Sequence, residues 1–280
     1  MGIRTLCISD IHVDINRSYP VMEALAEYAI QKEAECILIA GDICEDVYKV
    51  REHVQWLKKQ TGVQVYYVPG NHDLWHTKES KVTTDEIYKL YCEDENCLCG
   101  KHVRVGKHIV LGDVGWYDYS FGSSEYTRKQ YDSMEHGGRV WQDKYYNDWT
   151  VDNTGRNEWF LERMKGQFEK AAEYMQQKND GEIQGIVVVT HMLPHRAFTV
   201  PVDDKPMWKF FNAFLGSEAL GKLCEQYPVD YALCGHVHYR HEFTEKGIRY
   251  MCRCLNYASE WWGSKEIQTQ IEQAAGFIEL

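Results

Sequence analysis

The sequence predicts a layered α/β fold, and two observations support this class. Short apolar runs of strand length alternate along the chain with longer amphipathic stretches of helical periodicity. Strands and helices in alternation are typical of sheets covered by helices. The composition, with 44% hydrophobic and 26% charged residues and only 6 prolines among 280 residues, argues against disorder, collagen and coiled coils.

The predicted strands are often apolar on both faces, as in sheets that helices cover, and they span residues 3–8, 36–40, 64–68, 108–114, 186–190, 230–234 and 248–255. The predicted helices lie between them and span residues 20–34, 46–60, 84–92, 155–178, 217–226 and 264–274. Ser18 as a cap and Pro20 in the first turn indicate where the first helix begins. Gly62 marks the end of the second helix, and Thr83 with Glu86 has the spacing of a capping box before the third.

One stretch, residues 116–152, departs from this alternation and carries ten aromatic side chains among many polar residues. We interpret it as a long ordered insertion or flap within a single domain that covers residues 1–280. Long loops in compact domains are usually functional or disordered, and the aromatic content argues against disorder. The aromatic rings are expected to form mainly a small additional core, with stacking on a base or sugar as the alternative.

The charge of the chain limits its partners. Lys and Arg number 31 against 42 Asp and Glu, a net charge of −11, so extended nucleic-acid binding is disfavoured. No apolar run is long enough to cross a membrane, and the apolar stretch at the N-terminus is too short for a signal peptide, so we expect a cytoplasmic protein. The ten cysteines, several of them in apolar strands, are expected to be reduced.

Polar clusters follow five of the predicted strands directly, at the point where each strand ends. In open α/β sheets, ligands bind outside the carboxyl ends of the strands. If these strands are parallel neighbours, the five clusters meet at one edge of a sheet. The residues concerned are Asp10, His12, Asp42, Asn71, His72, Asp73, His191, His236 and His238.

These residue types suit transition-metal ions, because neutral imidazole and carboxylate together bind Zn, Mn, Fe and similar ions. There are enough of them for two sites, which a carboxylate can bridge. Two metals ~3.5–4 Å apart can clamp the attacking and leaving oxygens of an in-line displacement at phosphorus. Each cluster alone has a simpler explanation, and a lone His191 is more often a core histidine. The ordered set of five favours a metal centre.

Five motifs therefore occur in order: D-I-H at 10–12, G-D at 41–42, G-N-H-D at 70–73, the histidine at 191 and G-H-V-H at 235–238. This ordered set resembles the calcineurin-like metallophosphoesterases, and the resemblance covers about residues 3–240 with every signature position present. It implies a four-layer α-β-β-α sandwich of two mixed sheets flanked by helices.

The resemblance also implies a role for each residue. It places one metal ion among Asp10, His12, Asp42 and His238, and a second among the bridging Asp42, Asn71, His191 and His236. It makes His72 the catalytic acid at the leaving-group oxygen, oriented by Asp73. A hydroxide that bridges the two ions attacks phosphorus in line while His72 protonates the leaving alkoxide. The ions are Mn, Fe, Zn or Ni, and the sequence does not choose among them.

The sequence thus predicts a binuclear-metal-dependent phosphoester hydrolase that acts on a small phosphorylated substrate, with a nucleotide-like one among the options. Asp73 after Gly-Asn-His, in place of Glu, resembles the phosphodiesterase branches more than the protein Ser/Thr phosphatases. A phosphodiesterase is therefore favoured over a monoesterase. The alternative is a non-catalytic metal-binding scaffold on the same fold, and a metal-dependent hydrolase of another bond is a third option. The oligomeric state is left open.

Several further residues are secondary candidates. Within the 116–152 stretch, Tyr117 and Asp118 are expected to lie nearest the edge where the motifs meet. His76 and His195 could line the pocket, with a structural role as the alternative. A structural zinc could be held by Cys92, Cys97, Cys99 and His102. Their spacing is not one of the common zinc patterns, so reduced thiols are the preferred interpretation.

Overall fold

The computed structural model describes residues 2–76, 82–177 and 182–280. Its strands are β1 (Arg4–Ile8), β2 (Cys36–Ala40), β3 (Gln64–Val68), β4 (His102–Val105), β5 (His108–Asp113), β6 (Glu135–His136), β7 (Arg139–Val140), β8 (Gly185–Thr190), β9 (Val229–Cys234), β10 (His241–Glu245), β11 (Ile248–Cys252) and β12 (Gly276–Glu279). Its helices are α1 (Val21–Gln31), α2 (Val47–Thr61), α3 (Thr84–Glu93), α4 (Arg128–Ser133), α5 (Asp143–Tyr146), α6 (Asn153–Gln177), α7 (Trp208–Phe211), α8 (Glu218–Cys224) and α9 (Ile267–Ala274).

Two mixed sheets form the centre of the fold. The first has the strand order β12-β1-β2-β3, in which β1, β2 and β3 are parallel and β12 is antiparallel to β1. The second has the order β10-β11-β9-β8-β5-β4, with four parallel inner strands and an antiparallel strand at each edge. The polar clusters therefore come from two sheets, as the resemblance implied, and the condition that all five strands are neighbours in one sheet is not met.

The two sheets pack face to face through alternate side chains of their strands. Cys7, Leu38 and Val68 of the first sheet share one buried cluster with Val187 and Leu233 of the second. These side chains are apolar and almost fully buried, so they fill the space between the two pleated surfaces.

Helices cover the outer face of each sheet. On the first sheet, Leu6 is buried in one cluster with Leu25 of α1. On the second, Val188 is buried with Phe168 of α6. The four-layer α-β-β-α sandwich that the resemblance implied is confirmed. Within the described ranges, no helix has the length and the apolar character needed to cross a bilayer.

Helix ends follow the predicted signals in two cases and depart from them in a third. Helix α2 ends at Gly62 in the left-handed conformation, and Thr83 forms a capping box with Glu86 at the start of α3. Ser18 does not cap α1, which begins after Pro20 with no side-chain cap. Residue 178, the last of the longest predicted helix, lies outside the described residues.

Two glycines give a matched pair of stability predictions. Gly62 has φ +75°, whereas Gly166 lies inside α6, and an added Cβ meets no atom within 4 Å at either position. We expect Gly62→Ala to lower the free energy of unfolding by about 1 kcal/mol, because left-handed backbone strains an L-residue. Gly166→Ala should raise it by about 0.5–1 kcal/mol through helix propensity. Urea denaturation measures both, and shifts of the same sign would contradict the argument.

The insertion at 116–152 contains α4, the β6-β7 hairpin and α5. Its aromatic side chains are mostly packed against the first core cluster, either buried or partly buried: Trp116, Tyr117, Tyr119, Tyr126, Tyr131, Trp141 and Trp149. Tyr145 and Tyr146 remain exposed. The expectation that these rings form mainly additional core is confirmed.

Candidate metal centre and active site

Loops at the carboxyl ends of strands from both sheets provide the predicted metal ligands. On the first sheet, Asp10 and His12 follow β1, Asp42 follows β2 and Asn71 follows β3. On the second sheet, His191 follows β8, and His236 and His238 follow β9. A hydrogen bond from backbone to side chain joins these loops across the sheets, since His236 N–H donates to Asp10 Oδ1 over 3.0 Å. The structure brings all seven residues together.

One group of potential ligand atoms contains Asp10, His12, Asp42 and His238, all within 4.8 Å of one another. His12 Nε2 lies 3.3 Å from His238 Nε2 and 3.5 Å from Asp42 Oδ2. His238 Nε2 lies 3.5 Å from Asp10 Oδ1. Asp10, His12 and Asp42 are buried, so their polar atoms face one another instead of bulk water.

A second group contains Asp42, His191 and His236. His191 Nε2 lies 3.4 Å from Asp42 Oδ1 and 3.2 Å from His236 Nδ1. The side-chain oxygen of Asn71 joins them, 3.0 Å from His191 Nε2. Asp42 thus presents Oδ2 to the first group and Oδ1 to the second, so its carboxylate is positioned for both groups to share.

The far nitrogens of three imidazoles show that this arrangement fits metal ions. His191 Nδ1 lies 2.9 Å from the Ala40 carbonyl, and His236 Nε2 lies 3.1 Å from the Phe214 carbonyl. His238 Nδ1 lies 2.7 Å from the carboxylate of Glu260. Such partners hold the proton on the outer nitrogen and direct the other nitrogen's lone pair toward the cluster, as around metal sites. The donor set, imidazole with carboxylate, suits transition metals.

Electrostatics agree with a cation site. Burial lowers the pKa of His12 and of His236 well below its ordinary value, so both rings are neutral and able to coordinate. Burial also opposes the charges of the ion pair between Asp42 and His191. Their mutual attraction outweighs burial, lowering the pKa of Asp42 well below its ordinary value and raising that of His191 to about 9. Asp42 thus favours a positive charge beside it, and a bound cation would take the place of the proton on His191 Nε2.

Backbone strain is concentrated at the same residues. Five of the seven predicted ligands hold positive φ angles: Asp10 (52°), His12 (40°), Asp42 (54°), His236 (72°) and His238 (57°). Non-glycine residues in this region cost about 1–3 kcal/mol each and persist only where surrounding structure imposes them. Here backbone bonds impose it, since Asp10 N–H donates to Gly41 O and His12 N–H to Asp42 O, both over 3.0 Å. Strain of this kind is typical of functional sites.

His72 lies beside the clusters, and its ring is held by its neighbours. It stacks on Trp75 with ring centroids 3.5 Å apart. Its Nε2 lies 3.3 Å from the Tyr257 hydroxyl, and its Nδ1 lies 3.8 Å from Glu45. Burial lowers the pKa of His72, but the carboxylates of Asp42 and Glu45 outweigh burial and raise it above its ordinary value.

Asp73 has a different role from the one that the resemblance implied. Its Oδ1 accepts from the N–H groups of Ile43 and Cys44 over 2.7 and 2.8 Å, and its Oδ2 accepts from Gly70 N–H over 2.7 Å. The carboxylate therefore ties together the loops after β2 and β3. Glu45, not Asp73, is the carboxylate facing the His72 ring.

A cavity of about 340 Å³ opens beside the two groups, and Asp42, Asn71 and His72 form part of its wall. The predicted ligands His236 and His238 also form part of it. The sequence did not single out the other residues of the wall, which are Trp75, Val140, Trp141, Gln142, Asp143, Trp208, Leu215, Val237, Tyr257 and Glu260. Tyr257 and Glu260 follow the last motif, and Asp143 belongs to the aperiodic insertion. No spacing or periodicity marks any of these three residues.

The secondary candidates lie elsewhere. Tyr117 is fully buried, and Asp118 accepts a hydrogen bond from Ser217 over 2.7 Å. His76 lies 2.8 Å from Asp148, and His195 lies 3.5 Å from Glu245. None of these four residues is part of the cavity wall. Tyr117 contacts it, donating from Oη to Asp143 Oδ2 over 3.2 Å, and a structural role fits the contacts of His76 and His195.

The cysteine cluster does not form the zinc site that was considered. Within residues 2–76, 82–177 and 182–280, the two groups above are the ones that bring three or more potential His, Cys, Asp or Glu ligands together. The candidates Cys92, Cys97, Cys99 and His102 are not among them. All ten cysteines are free, so the expectation of reduced thiols is confirmed.

Relatives in sequence match this chain over limited segments. The acyl-carrier-protein phosphodiesterase PptH of Mycobacterium tuberculosis is 27% identical over 126 residues, which cover 41% of this chain and 37% of that protein. An uncharacterised metallophosphoesterase of Helicobacter pylori is 25% identical over 122 residues, covering 42% of this chain and 30% of that protein. The chain therefore spans about a third of the length of the curated relatives it matches.

A likeness in fold extends further. The crystal structure of the phosphopantetheinyl hydrolase PptH from Mycobacterium tuberculosis superposes with a TM-score of 0.66 and 20% identity, covering 93% of both chains. The sequence model of the calcineurin-like phosphoesterases matches residues 3–240, which include all seven predicted ligands and His72. The chain belongs to the calcineurin-like phosphoesterase family.

Proposed function

We propose that this protein is a metal-dependent phosphodiesterase acting on a small phosphorylated substrate. The observation that carries the proposal is the pair of ligand groups that share Asp42 and border the cavity containing His72. One ion would be held by Asp10, His12, Asp42 and His238, and the other by Asp42, Asn71, His191 and His236. Mixed imidazole and carboxylate sites accept Mn, Fe, Zn and Ni alike.

The chain's own residues would position the substrate and move one proton. When bound, two such cations activate water and stabilise charge on the oxygens of the phosphoryl group. His72 borders the cavity and would donate a proton to the leaving oxygen, as a positioned general acid does. Trp75, stacked on the ring, and Glu45, facing Nδ1, would hold the imidazole in orientation.

The cavity wall supports a diester in preference to a monoester. Among the described residues that form it there is no lysine or arginine, whereas Glu260 is present. When no cationic side chain faces the substrate, a diester with one negative charge forgoes less favourable binding energy than a monoester or polyphosphate with two or more. The indole rings of Trp75, Trp141 and Trp208 suit an apolar or planar group on the leaving alcohol.

The insertion would act as part of the site within a single domain over 1–280. Val140, Trp141, Gln142 and Asp143 from the 116–152 insertion form one side of the cavity. Residues of the insertion are therefore placed to select the leaving group. The cytoplasmic location stays a prediction.

The test is a hydrolysis panel with Mn, Ni or Zn, or with EDTA. Substrates are bis-p-nitrophenyl phosphate, p-nitrophenyl phosphate and cyclic nucleotides. Because PptH is named as an acyl-carrier-protein phosphodiesterase and a phosphopantetheinyl hydrolase, the panel also includes phosphopantetheinylated acyl carrier protein. We expect turnover that EDTA abolishes and that favours diesters over p-nitrophenyl phosphate.

Two outcomes would contradict the proposal. If the protein hydrolyses p-nitrophenyl phosphate faster than the diesters, the proposed activity is wrong and the protein is a phosphomonoesterase. No turnover with any metal, in protein shown to hold two ions per chain, would favour the non-catalytic scaffold.

A further inference from the structure

Asp143 of the insertion has an unusual set of contacts. It is only 3% exposed. Its Oδ1 accepts from Asn71 Nδ2 over 2.9 Å and from Trp75 Nε1 over 2.7 Å. Its Oδ2 accepts from Trp141 Nε1 over 2.8 Å and from Tyr117 Oη over 3.2 Å.

None of these donors is a cation, so dipoles offset the charge of Asp143. A buried carboxylate is costly unless its oxygens are well bonded. Asn147 Nδ2 adds a further bond to Oδ1 over 3.0 Å. Both oxygens of Asp143 are therefore bonded, and such buried hydrogen bonds hold the carboxylate and its donors in one arrangement.

The bond from Asn71 decides which end of its amide faces the ligand group. An amide has an oxygen that accepts and an NH₂ that only donates. Because Nδ2 is engaged by Asp143, Oδ1 is turned toward His191 Nε2, 3.0 Å away. Only the oxygen can coordinate a cation, so a flipped Asn71 would be lost as a ligand.

The two indole donors connect Asp143 with the rest of the site. Trp75 carries the stacked ring of His72, with centroids 3.5 Å apart. Trp141 packs edge-on against His236, with ring centroids 5.6 Å apart. Both indoles are part of the cavity wall.

We infer that Asp143 is a positioning residue: its carboxylate turns the Asn71 oxygen toward the second ligand group and anchors the indole walls of the cavity. This inference rests on the proposed function for the identity of the site as a metal centre. It means that the insertion builds the metal site as well as covering it.

The test compares Asp143→Asn with Asp113→Asn. Asp113 is equally buried at the end of β5 and accepts from Tyr88 Oη over 2.7 Å and from Val114 N–H over 2.9 Å, but it is not part of the cavity wall. Calorimetric titration with Mn²⁺ measures the affinity of each ion. In Asp143→Asn we expect the second ion to bind about 10–100-fold more weakly, as for other partners behind metal ligands.

Asp113→Asn should lower thermal stability without changing either affinity. If it weakens the second ion as much as Asp143→Asn does, general destabilisation explains the effect and the inference falls. Wild-type affinity for both ions in Asp143→Asn would also overturn it.

A reciprocal exchange provides a second variant. In the double variant Asn71→Asp with Asp143→Asn, residue 71 carries oxygen at both ends, so orientation no longer matters. We expect the affinity for the second ion to recover above that of Asp143→Asn and above that of Asn71→Asp alone, because only the double variant restores a donor facing an acceptor between residues 71 and 143. A merely structural role of Asp143 would leave the double variant no better than Asn71→Asp. Should Asp143→Asn fail to fold, this variant is the test, and weak binding of the second ion in it would overturn the inference.

Ion binding is measured without turnover, so the two proposals fail separately. Wild-type protein that binds two ions but hydrolyses no substrate would contradict the phosphodiesterase proposal and leave the role of Asp143 standing. An Asp143→Asn variant that binds both ions normally and still hydrolyses substrate would contradict the role of Asp143 and leave the phosphodiesterase proposal standing.

Discussion

Asp42→Ala is expected to release both metal ions together and to lower kcat/KM by about 10³-fold or more, since bound metal stabilises the transition state by several kcal/mol. The reason is that the two carboxylate oxygens of Asp42 face different ligand groups. Oδ2 lies 3.5 Å from His12 Nε2 and Oδ1 lies 3.4 Å from His191 Nε2. Removing the carboxylate therefore takes a ligand from each group. Elemental analysis of protein loaded with Mn²⁺ and then desalted measures the loss.

Asp10→Ala and His191→Ala are the matched controls, since each removes a ligand from one group only. Each should leave one of the two ions bound. Circular dichroism checks that all three variants are folded. Two ions retained by folded Asp42→Ala would show that its carboxylate is not shared.

His72→Ala is expected to keep the fold and both ions but to lose about 10²–10⁴-fold in kcat on diesters of poorly leaving alkyl alcohols. Such an alkoxide needs a proton as its bond to phosphorus breaks. The p-nitrophenolate of bis-p-nitrophenyl phosphate is a far weaker base and leaves without one. The loss on that substrate should therefore be much smaller, and kcat for the two substrates measured side by side gives the comparison.

His195→Ala controls for the loss of an imidazole. Its ring accepts from Ala197 N–H over 3.1 Å and lies 3.5 Å from Glu245, away from the cavity. We expect near wild-type rates on both substrates. Equal losses for the two leaving groups in His72→Ala would point to a positional defect instead of a missing acid, and full activity on the alkyl diester would remove the acid role.

The two ligand groups were predictable because each residue follows an apolar strand. The ends of apolar strands can be recognised in the sequence, and a histidine or carboxylate directly after such a strand indicates a ligand site, because ligands bind at the carboxyl ends of strands. The strand pattern alone did not show that the strands belong to two sheets, which only the family resemblance implied. Face-to-face packing brings the ends of β1 and β9 together, as the bond from His236 N–H to Asp10 shows.

The residues behind the ligands were not predictable in the same way. Asp143 follows no strand and has no periodic neighbours, and three of its five donors, Asn71, Trp75 and Tyr117, come from distant parts of the chain. Asp73 was assigned to His72 through the resemblance, whereas its real partners are backbone N–H groups that a sequence does not display. Tyr257 and Glu260 reach the site from beyond the last motif.

Three strands of the two large sheets escaped prediction for reasons of composition and place. β10 (His241–Glu245) reads HEFTE and is largely exposed, so it lacks the apolar pattern of a buried strand. β4 (His102–Val105) is a short edge strand, and β12 (Gly276–Glu279) has only four residues. Each of these segments becomes a strand because it pairs with a neighbouring strand, so tertiary contacts and not the local sequence decide its conformation.

Each ligand group draws side chains from both sheets, through Asp10 and His238 in one and through Asp42 and His191 in the other. An ion bound in either group would therefore act as a cross-link between the sheets, as a disulfide does in secreted proteins, whereas all ten cysteines of this chain are free. Only the folded chain assembles these ligands, so the free energy of ion binding adds to that of folding. Cellular metal supply would then govern the abundance of the protein as well as its chemistry.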